Sequence, residues 1–201
     1  MTDNATVAGD QPTALDLPMA DPLDEDIAAY FAKCVEKLGM VPNVLRAYAF
    51  DQDKLRAFMA MYNDLMLGPS GLSKLEREMI AVVVSCANRC FYCLAAHGQA
   101  VRHYSGDPKL GEILVMNYRA KVWPPREKAM LDFAWALTTE PHRIEEKDRS
   151  NLRLHNFSDR DIWDVAAVVG FFNMSNRVAI ATDMRPNDDY HGLSRTPVDQ
   201  D

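Results

Sequence analysis

The stretch "SKLEREMIAVVVSCANRC", Ser73 to Cys90, constrains the fold more than any other part of the chain. Its centre, "IAVVVS", is apolar and β-branched enough to pass for a buried strand. The residues just upstream decide against that. Ser73 and Glu76 stand in the Ser-x-x-Glu arrangement of a capping box, where each side chain satisfies a backbone N–H of the other residue. A strand would also need partners, and no other segment has strand character. The pattern predicts a helix here and an all-α chain.

The other segments agree. "LDEDIAAYFAKCVEKLG" has apolar residues at helical spacing and stops at Gly39. "VPNVLRAYAFDQDKLRAFMAMYNDLML" gives two helices interrupted near Asp51 and closed by "GPSG". Further helices are expected in "CFYCLAAHGQAVRHYS", "DPKLGEILVMNYRA", "PPREKAMLDFAWALTTEP", "EKDRSNLRLHN" and "SDRDIWDVAAVVGFFNMSNRVAIATDMR". Residues 1–24 are rich in Asp, Pro, Ala and Thr without periodicity and read as a partly extended N-terminal arm. Residues 25–186 form the helical domain, and 187–201 a C-terminal tail. Such arms often wrap a neighbouring subunit.

An internal echo runs at an offset of 85 residues, which aligns Ser73 with Ser158. Ala81, Val83, Val84, Asn88 and Ala96 then fall on Ala166, Val168, Val169, Asn173 and Ala181. The domain therefore reads as two related helix-turn-helix units. The second unit has Ser175 and Val178 in place of Cys90 and Cys93, and Trp163 and Thr182 in place of Glu78 and His97. Chemistry belongs to the first.

At 201 residues, with 48% apolar and 25% charged residues, the chain has the balance of a soluble domain. A net charge of −7 with no long basic cluster argues against nucleic acid or an anionic membrane as partner. No apolar run approaches the roughly 18 residues of a spanning helix. The first residues lack the basic and apolar regions of a secretory leader. A cytoplasmic protein is expected. The four cysteines, at 34, 86, 90 and 93, are then not a disulfide framework, and C-x-x-C points to redox chemistry or metal.

A helix beginning at Cys90 would place Cys90, Cys93 and His97 on one face, with both thiols in its first turn. The positive end of the helix dipole and a nearby imidazole both favour thiolate, the nucleophilic form. If the chain turns at Asn88–Arg89, the two helices make an αα-hairpin, and Glu78 comes level with His97. A carboxylate there orients the imidazole. The hairpin thus predicts a chain of groups, Glu78 to His97 to Cys93, with Cys90 near enough for a disulfide. Zinc would need a fourth ligand, and no second C-x-x-C or H-x-x-x-H is present. A thioredoxin fold would need strands.

Glu78, eleven intervening residues, then C-x-x-C-x-x-x-H resembles the active-site signature of the AhpD-like alkylhydroperoxidases, within the carboxymuconolactone decarboxylase superfamily. "GPSGLSKLEREMIAVVVSCANRCFYCLAAHG", "GMVPNVLRAYA" and "FSDRDIWDVAAVVGFFNMSNRVA" are similar to its peroxidase-related branch, and the resemblance covers roughly residues 20 to 186. It implies an AhpD-like helical bundle, a homo-oligomer (trimer or hexamer), and reduction of hydroperoxides without metal or other cofactor. By the same resemblance Cys93 would attack the peroxide and Cys90 would resolve the sulfenic acid to a Cys90–Cys93 disulfide. His97 and Glu78 would relay the proton, and a thiol reductant, not identified by the sequence, would reopen the disulfide. Tyr92 departs from the pattern, since well-studied members carry a second histidine there. A phenol is a poor base near neutral pH, so Tyr92 is a candidate for the substrate pocket. Two alternatives stand beside the peroxidase. One is a lyase acting on a lactone acid, as in the sister branch. The other is a redox-sensing oligomer without turnover. His103, His142, His155 and His191 read as surface or loop residues, and Cys34 and Cys86 as packing.

Overall fold

The structure, a computed structural model, describes residues 11–196. Among these residues the chain is all-α, with ten α-helices and no strand. α1 (Glu25–Leu38) ends where Gly39 takes φ 77°, a left-handed value open to glycine without steric cost. α2 (Asn43–Tyr48) and α3 (Gln52–Tyr62) part at Asp51, whose carboxylate caps α3 by accepting from the Lys54 N–H. A π-helical turn, Asn63–Leu67, follows α3. The buried Arg77 guanidinium donates to carbonyls that this turn and the next loop leave open, at 3.2 Å from Leu65, 2.9 Å from Gly68 and 2.9 Å from Leu72.

α4 (Lys74–Asn88) opens on the Ser73–Glu76 capping box and is the central helix. It packs against α5 (Phe91–Ser105), α6 (Pro108–Asn117), α7 (Pro125–Thr139) and α9 (Asp159–Ala181). Every residue from Arg77 to Ser85 is buried. Burial on all sides selects the uniformly apolar composition that made this segment resemble a strand. α8 (Glu146–Leu154) and the short α10 (Asp189–Gly192) complete the set.

The internal echo holds at the caps and then diverges. Ser158 and Asp161 form a capping box at the head of α9, matching Ser73 and Glu76. In the first copy the helix stops after Asn88, and Arg89 turns left-handed at φ 56°. The Arg89 N–H bonds to the Cys86 carbonyl at 3.1 Å and the Cys90 N–H to the Ser85 carbonyl at 2.9 Å, the paired bonds of a Schellman turn. The residue 85 positions after Arg89, Met174, lies inside α9, which runs 23 residues without a break. The second copy is therefore one long helix where a helix-turn-helix was expected.

The described parts of both arms lie on their own chain. The Ala14 N–H donates to the Thr182 carbonyl and the Arg185 N–H to the Pro12 carbonyl, both at 2.9 Å. Beyond α9 the chain doubles back as a strap over the start of α5. Asn187 Oδ1 accepts from the Asn43 N–H at 2.7 Å, and its Nδ2 donates to the Val41 carbonyl at 3.0 Å. Residues 1–10 and 197–201, the rest of the two arms, lie outside the described residues.

Candidate active site

The Schellman turn places Cys90 at the N-cap of α5 and Cys93 in its first turn. Both are free thiols and both are buried. They are hydrogen-bonded to each other, with the Cys93 thiol donating to the Cys90 sulfur. That bond is the main reason the Cys90 thiol falls to about 7, against an ordinary value of 9.0. The backbone amides of Cys93 and Tyr92 and the charge of His97 act in the same direction, and burial opposes them. Cys93 moves the other way, pushed well above the thiol range by donating to Cys90, by burial and by the charge on Cys90. Donors on α9, from Asn176 and Ser175, pull it back. When the pair gives up one proton, the charge falls on Cys90 and the remaining proton stays on Cys93.

Across the hairpin, Glu78 Oε2 lies 2.7 Å from His97 Nδ1. The side chains are 5% and 12% exposed, so little water screens the contact. Glu78 holds Nδ1–H as donor and leaves Nε2 as the nitrogen able to exchange a proton. Phe172 packs edge-on against the imidazole, with ring centroids 4.5 Å apart, and fixes the ring plane from the α9 side. The hairpin thus brings Glu78, Cys90, Cys93 and His97 to one place. Arg102 and Arg177, the other conceivable partners of Glu78, go elsewhere. Arg102 donates to the Tyr190 and Leu193 carbonyls, and Arg177 to Asn173.

Asn176 was not legible as a site residue. It is fully buried on α9, donates to Ser85 Oγ at 3.0 Å and accepts from Asn88 Nδ2 at 2.9 Å, besides reaching Cys93. Its signal lay only in a polar residue inside an apolar run.

A cleft of about 490 Å³ opens beside Cys90. Phe91, Tyr92, Ala179, Ile180, Met184 and His191 line it together with the strap, and Arg89, Arg185, Asp183 and Asp188 bring charges of both signs to it. Cys93 is not on its wall. Tyr92 contributes to the lining, but its hydroxyl is turned to structure: it accepts from the Val44 N–H at 2.9 Å and donates to Tyr190. Burial raises its phenol well above the usual range, so it is no base. His191, read from the sequence as a surface or loop residue, stacks on Phe91 at the cleft with ring centroids 5.9 Å apart. Cys34 and Cys86 sit half-buried on α1 and α4. Among the described residues no group of three or more His, Cys, Asp or Glu is arranged to hold a metal, and no helix is long and apolar enough to cross a membrane.

An all-helical bundle that presents a C-x-x-C pair at a helix head, backed by a Glu–His pair, defines an AhpD-like protein. Residues 52–113 match the carboxymuconolactone decarboxylase family. A peroxidase-related protein from Silicibacter sp. TM1040 is 65% identical and superposes with a TM-score of 0.91, covering 94% of this chain and 100% of its own. A peroxidase-related protein from Ralstonia eutropha JMP134, described as an alkylhydroperoxidase AhpD core, is 41% identical with a TM-score of 0.89, covering 93% and 98%. The protein YdfG of Bacillus subtilis is 27% identical over 119 residues, 56% of this chain and 76% of that one. The chain belongs to the carboxymuconolactone decarboxylase superfamily, in its AhpD-like, peroxidase-related branch.

Proposed function

We propose that the protein reduces hydroperoxides with the Cys90–Cys93 dithiol, using His97 and Glu78 to manage the proton. One observation carries this reading: a hydrogen-bonded thiol pair at the head of α5 stands one turn from an imidazole held at 2.7 Å by a buried carboxylate. Moving the shared proton along the S–H···S bond onto Cys90 leaves the charge on Cys93, beside the Asn176 and Ser175 donors. The Cys93 thiolate attacks the O–O bond. It becomes a sulfenic acid, and the leaving alkoxide takes a proton relayed by His97. The Cys90 thiol then displaces water to close the Cys90–Cys93 disulfide, and two reducing thiols reopen it. The names of its relatives support the reaction class. The branch's homo-oligomeric habit and a cytoplasmic setting belong to the same proposal. Trp163, Leu154 and Val122, all largely exposed in the isolated chain, suit burial between subunits.

Cys93→Ser is expected to reduce hydroperoxide consumption to the uncatalysed rate. Cys90→Ser should accumulate a sulfenic acid on Cys93 that a dimedone-type probe captures. Equal turnover by wild type and Cys93→Ser would overturn the reading. Stoichiometric oxidation without turnover, with reductant present, would instead favour a redox sensor.

A further inference from the structure

The two halves of the internal echo touch at one of their matched pairs: Asn88 and Asn173, 85 residues apart, are hydrogen-bonded at 3.0 Å. That contact is one link in a chain of side-chain amides that ends at Cys93. We propose that Asn173 is a positioning residue: it sets the donor–acceptor direction of this chain, so that Asn176 turns its NH2 and not its carbonyl oxygen toward the Cys93 sulfur. The inference rests on the proposed function for the step it serves, the formation of a Cys93 thiolate.

A side-chain amide fits its pocket in either of two flips, and only its hydrogen-bond partners decide which end points where. Asn173 is held by one-way groups at both ends. Its Oδ1 accepts from the Arg177 guanidinium at 2.8 Å, and a guanidinium has no acceptor. Its Nδ2 donates to the Val169 carbonyl at 3.0 Å, and a carbonyl cannot donate. Thr138 agrees, because its hydroxyl proton goes to the Ala134 carbonyl and the oxygen accepts from Asn173 Nδ2 at 3.2 Å. With Asn173 Oδ1 presented, Asn88 must meet it with Nδ2. The second hydrogen of that NH2 reaches Asn176 Oδ1 at 2.9 Å. Asn176 then has its own Nδ2 on the far side, where it donates to Ser85 Oγ at 3.0 Å and to Cys93. Ser85 closes the chain in the same sense, since its proton is spent on the Ala81 carbonyl at 2.7 Å.

The direction matters because the two ends of the amide favour opposite states of the sulfur. An N–H aimed at Cys93 stabilises the thiolate, whereas a carbonyl oxygen in the same place would hold the thiol. Asn176 is fully buried, so bulk water does not compete for the contact. The other groups around Cys93 leave this choice open. Cys90, Tyr92 and His97 share its helix, and Glu78 on α4 reaches it through His97. α9 adds the Ser175 hydroxyl, and Val44 and Met184 bring apolar contacts.

The test uses the full chain carrying Cys90→Ser, so that Cys93 titrates without its neighbour. Iodoacetamide alkylation of Cys93 is followed against pH by site-resolved mass spectrometry, with no hydroperoxide present. Asn173→Leu should raise the alkylation midpoint by about one pH unit, a loss of about tenfold near neutral pH that high pH restores. Two isosteric variants separate direction from charge. Asn88→Asp takes away the NH2 and should turn Asn176 around, raising the midpoint at least as far. Asn173→Asp gives up the bonds to Val169 and Thr138 and brings the same charge, but it keeps an acceptor toward Arg177 and Asn88. Its alkylation near neutral pH should stay within about threefold of the Cys90→Ser parent. If Asn173→Leu does not fold, the two aspartate variants decide. Equal shifts from those two, or a lowered Tm with an unmoved midpoint, overturn the proposal. Midpoints that move as described in a protein that consumes no hydroperoxide would sink the proposed function and leave this inference standing.

Discussion

The α4–α5 corner and the middle of α9 begin alike and end in different chemistry. Both start on a capping box, Ser73 with Glu76 and Ser158 with Asp161, and both continue into Ala-Val-rich turns. The first copy stops at a left-handed Arg89, while the second runs straight through Met174. That one turn creates a new helix N-terminus. It exposes unpaired amides and a positive dipole end at Cys90 and folds α5 back so that His97 meets Glu78. The unbroken copy has no such end. Its Ser175 is spent inside a helix, and with Asn176 it serves as a donor to the other copy's thiol. A break in the backbone, more than the cysteines alone, separates the copy that gathers thiols, imidazole and carboxylate from the one that packs against them.

The largest effect on this contrast is expected from Glu78→Gln. The amide keeps the shape but cannot stabilise an imidazolium, so kcat for hydroperoxide reduction should fall about 100-fold, within the range of a lost acid–base relay. Thermal unfolding should change far less. A variant with near wild-type kcat would detach the hairpin pair from catalysis.

Asn176→Leu tests the support from the unbroken copy. It removes a donor to Cys93 and leaves the buried Ser85 and the half-buried Asn88 each with one partner fewer. A cost of about 1–3 kcal/mol is expected in denaturant unfolding. It should be accompanied by slower sulfenic acid formation on Cys93. Full stability would mean that the amide network around α9 is incidental.

Cys90 should show its position in its titration. Alkylation of Cys90 by iodoacetamide is expected to reach half its maximal rate near pH 7. In Cys93→Ala the midpoint should rise, because the hydrogen bond from Cys93 is the largest cause of the lowering. The sign for stability follows from a folded-state value below the unfolded one. The thiolate's contribution is fully present above the ordinary thiol value of 9.0 and is lost as pH falls through about 7. A midpoint that Cys93→Ala leaves in place would assign the effect to the helix end instead.

The legible and illegible parts divide along range. The capping boxes, the Gly39 stop and the Asp51 break act within a few residues, so the helices could be read directly. Glu78 and His97 are 19 residues apart, but one hairpin joins them, and supposing a turn at Asn88–Arg89 was enough to pair them. The contacts of Asn176, Arg102 and Tyr190 join residues roughly 90 apart, chosen by how α9 and the strap pack. No local pattern encodes that. Tyr92 shows the limit most clearly: its place in the motif suggested the substrate pocket, and only the neighbouring Val44 and Tyr190 reveal that its hydroxyl holds the pocket's wall. The continuity of α9 was hidden for a related reason. Neither "NRCF" nor "NMSN" contains glycine or proline, so the same helical pattern is compatible with a stop or a continuation.

The smallest expected effect gives the cleanest comparison, because one substitution should change sign between the two copies. Arg89 is held at φ 56°, where a side chain's Cβ crowds its own backbone. Arg89→Gly removes that strain, at the cost of a freer unfolded chain, and should stabilise by up to about 1 kcal/mol. For a chain of this length that is a rise in Tm of about 2–4 °C. Met174 occupies the corresponding position inside α9 and is 42% exposed, so Met174→Gly loses little packing. It still places glycine in a helix interior and should destabilise by about 1 kcal/mol, lowering Tm by a similar amount. Differential scanning calorimetry of the two variants resolves shifts of this size. If both lower Tm equally, the left-handed turn at Arg89 is not what sets the two copies apart.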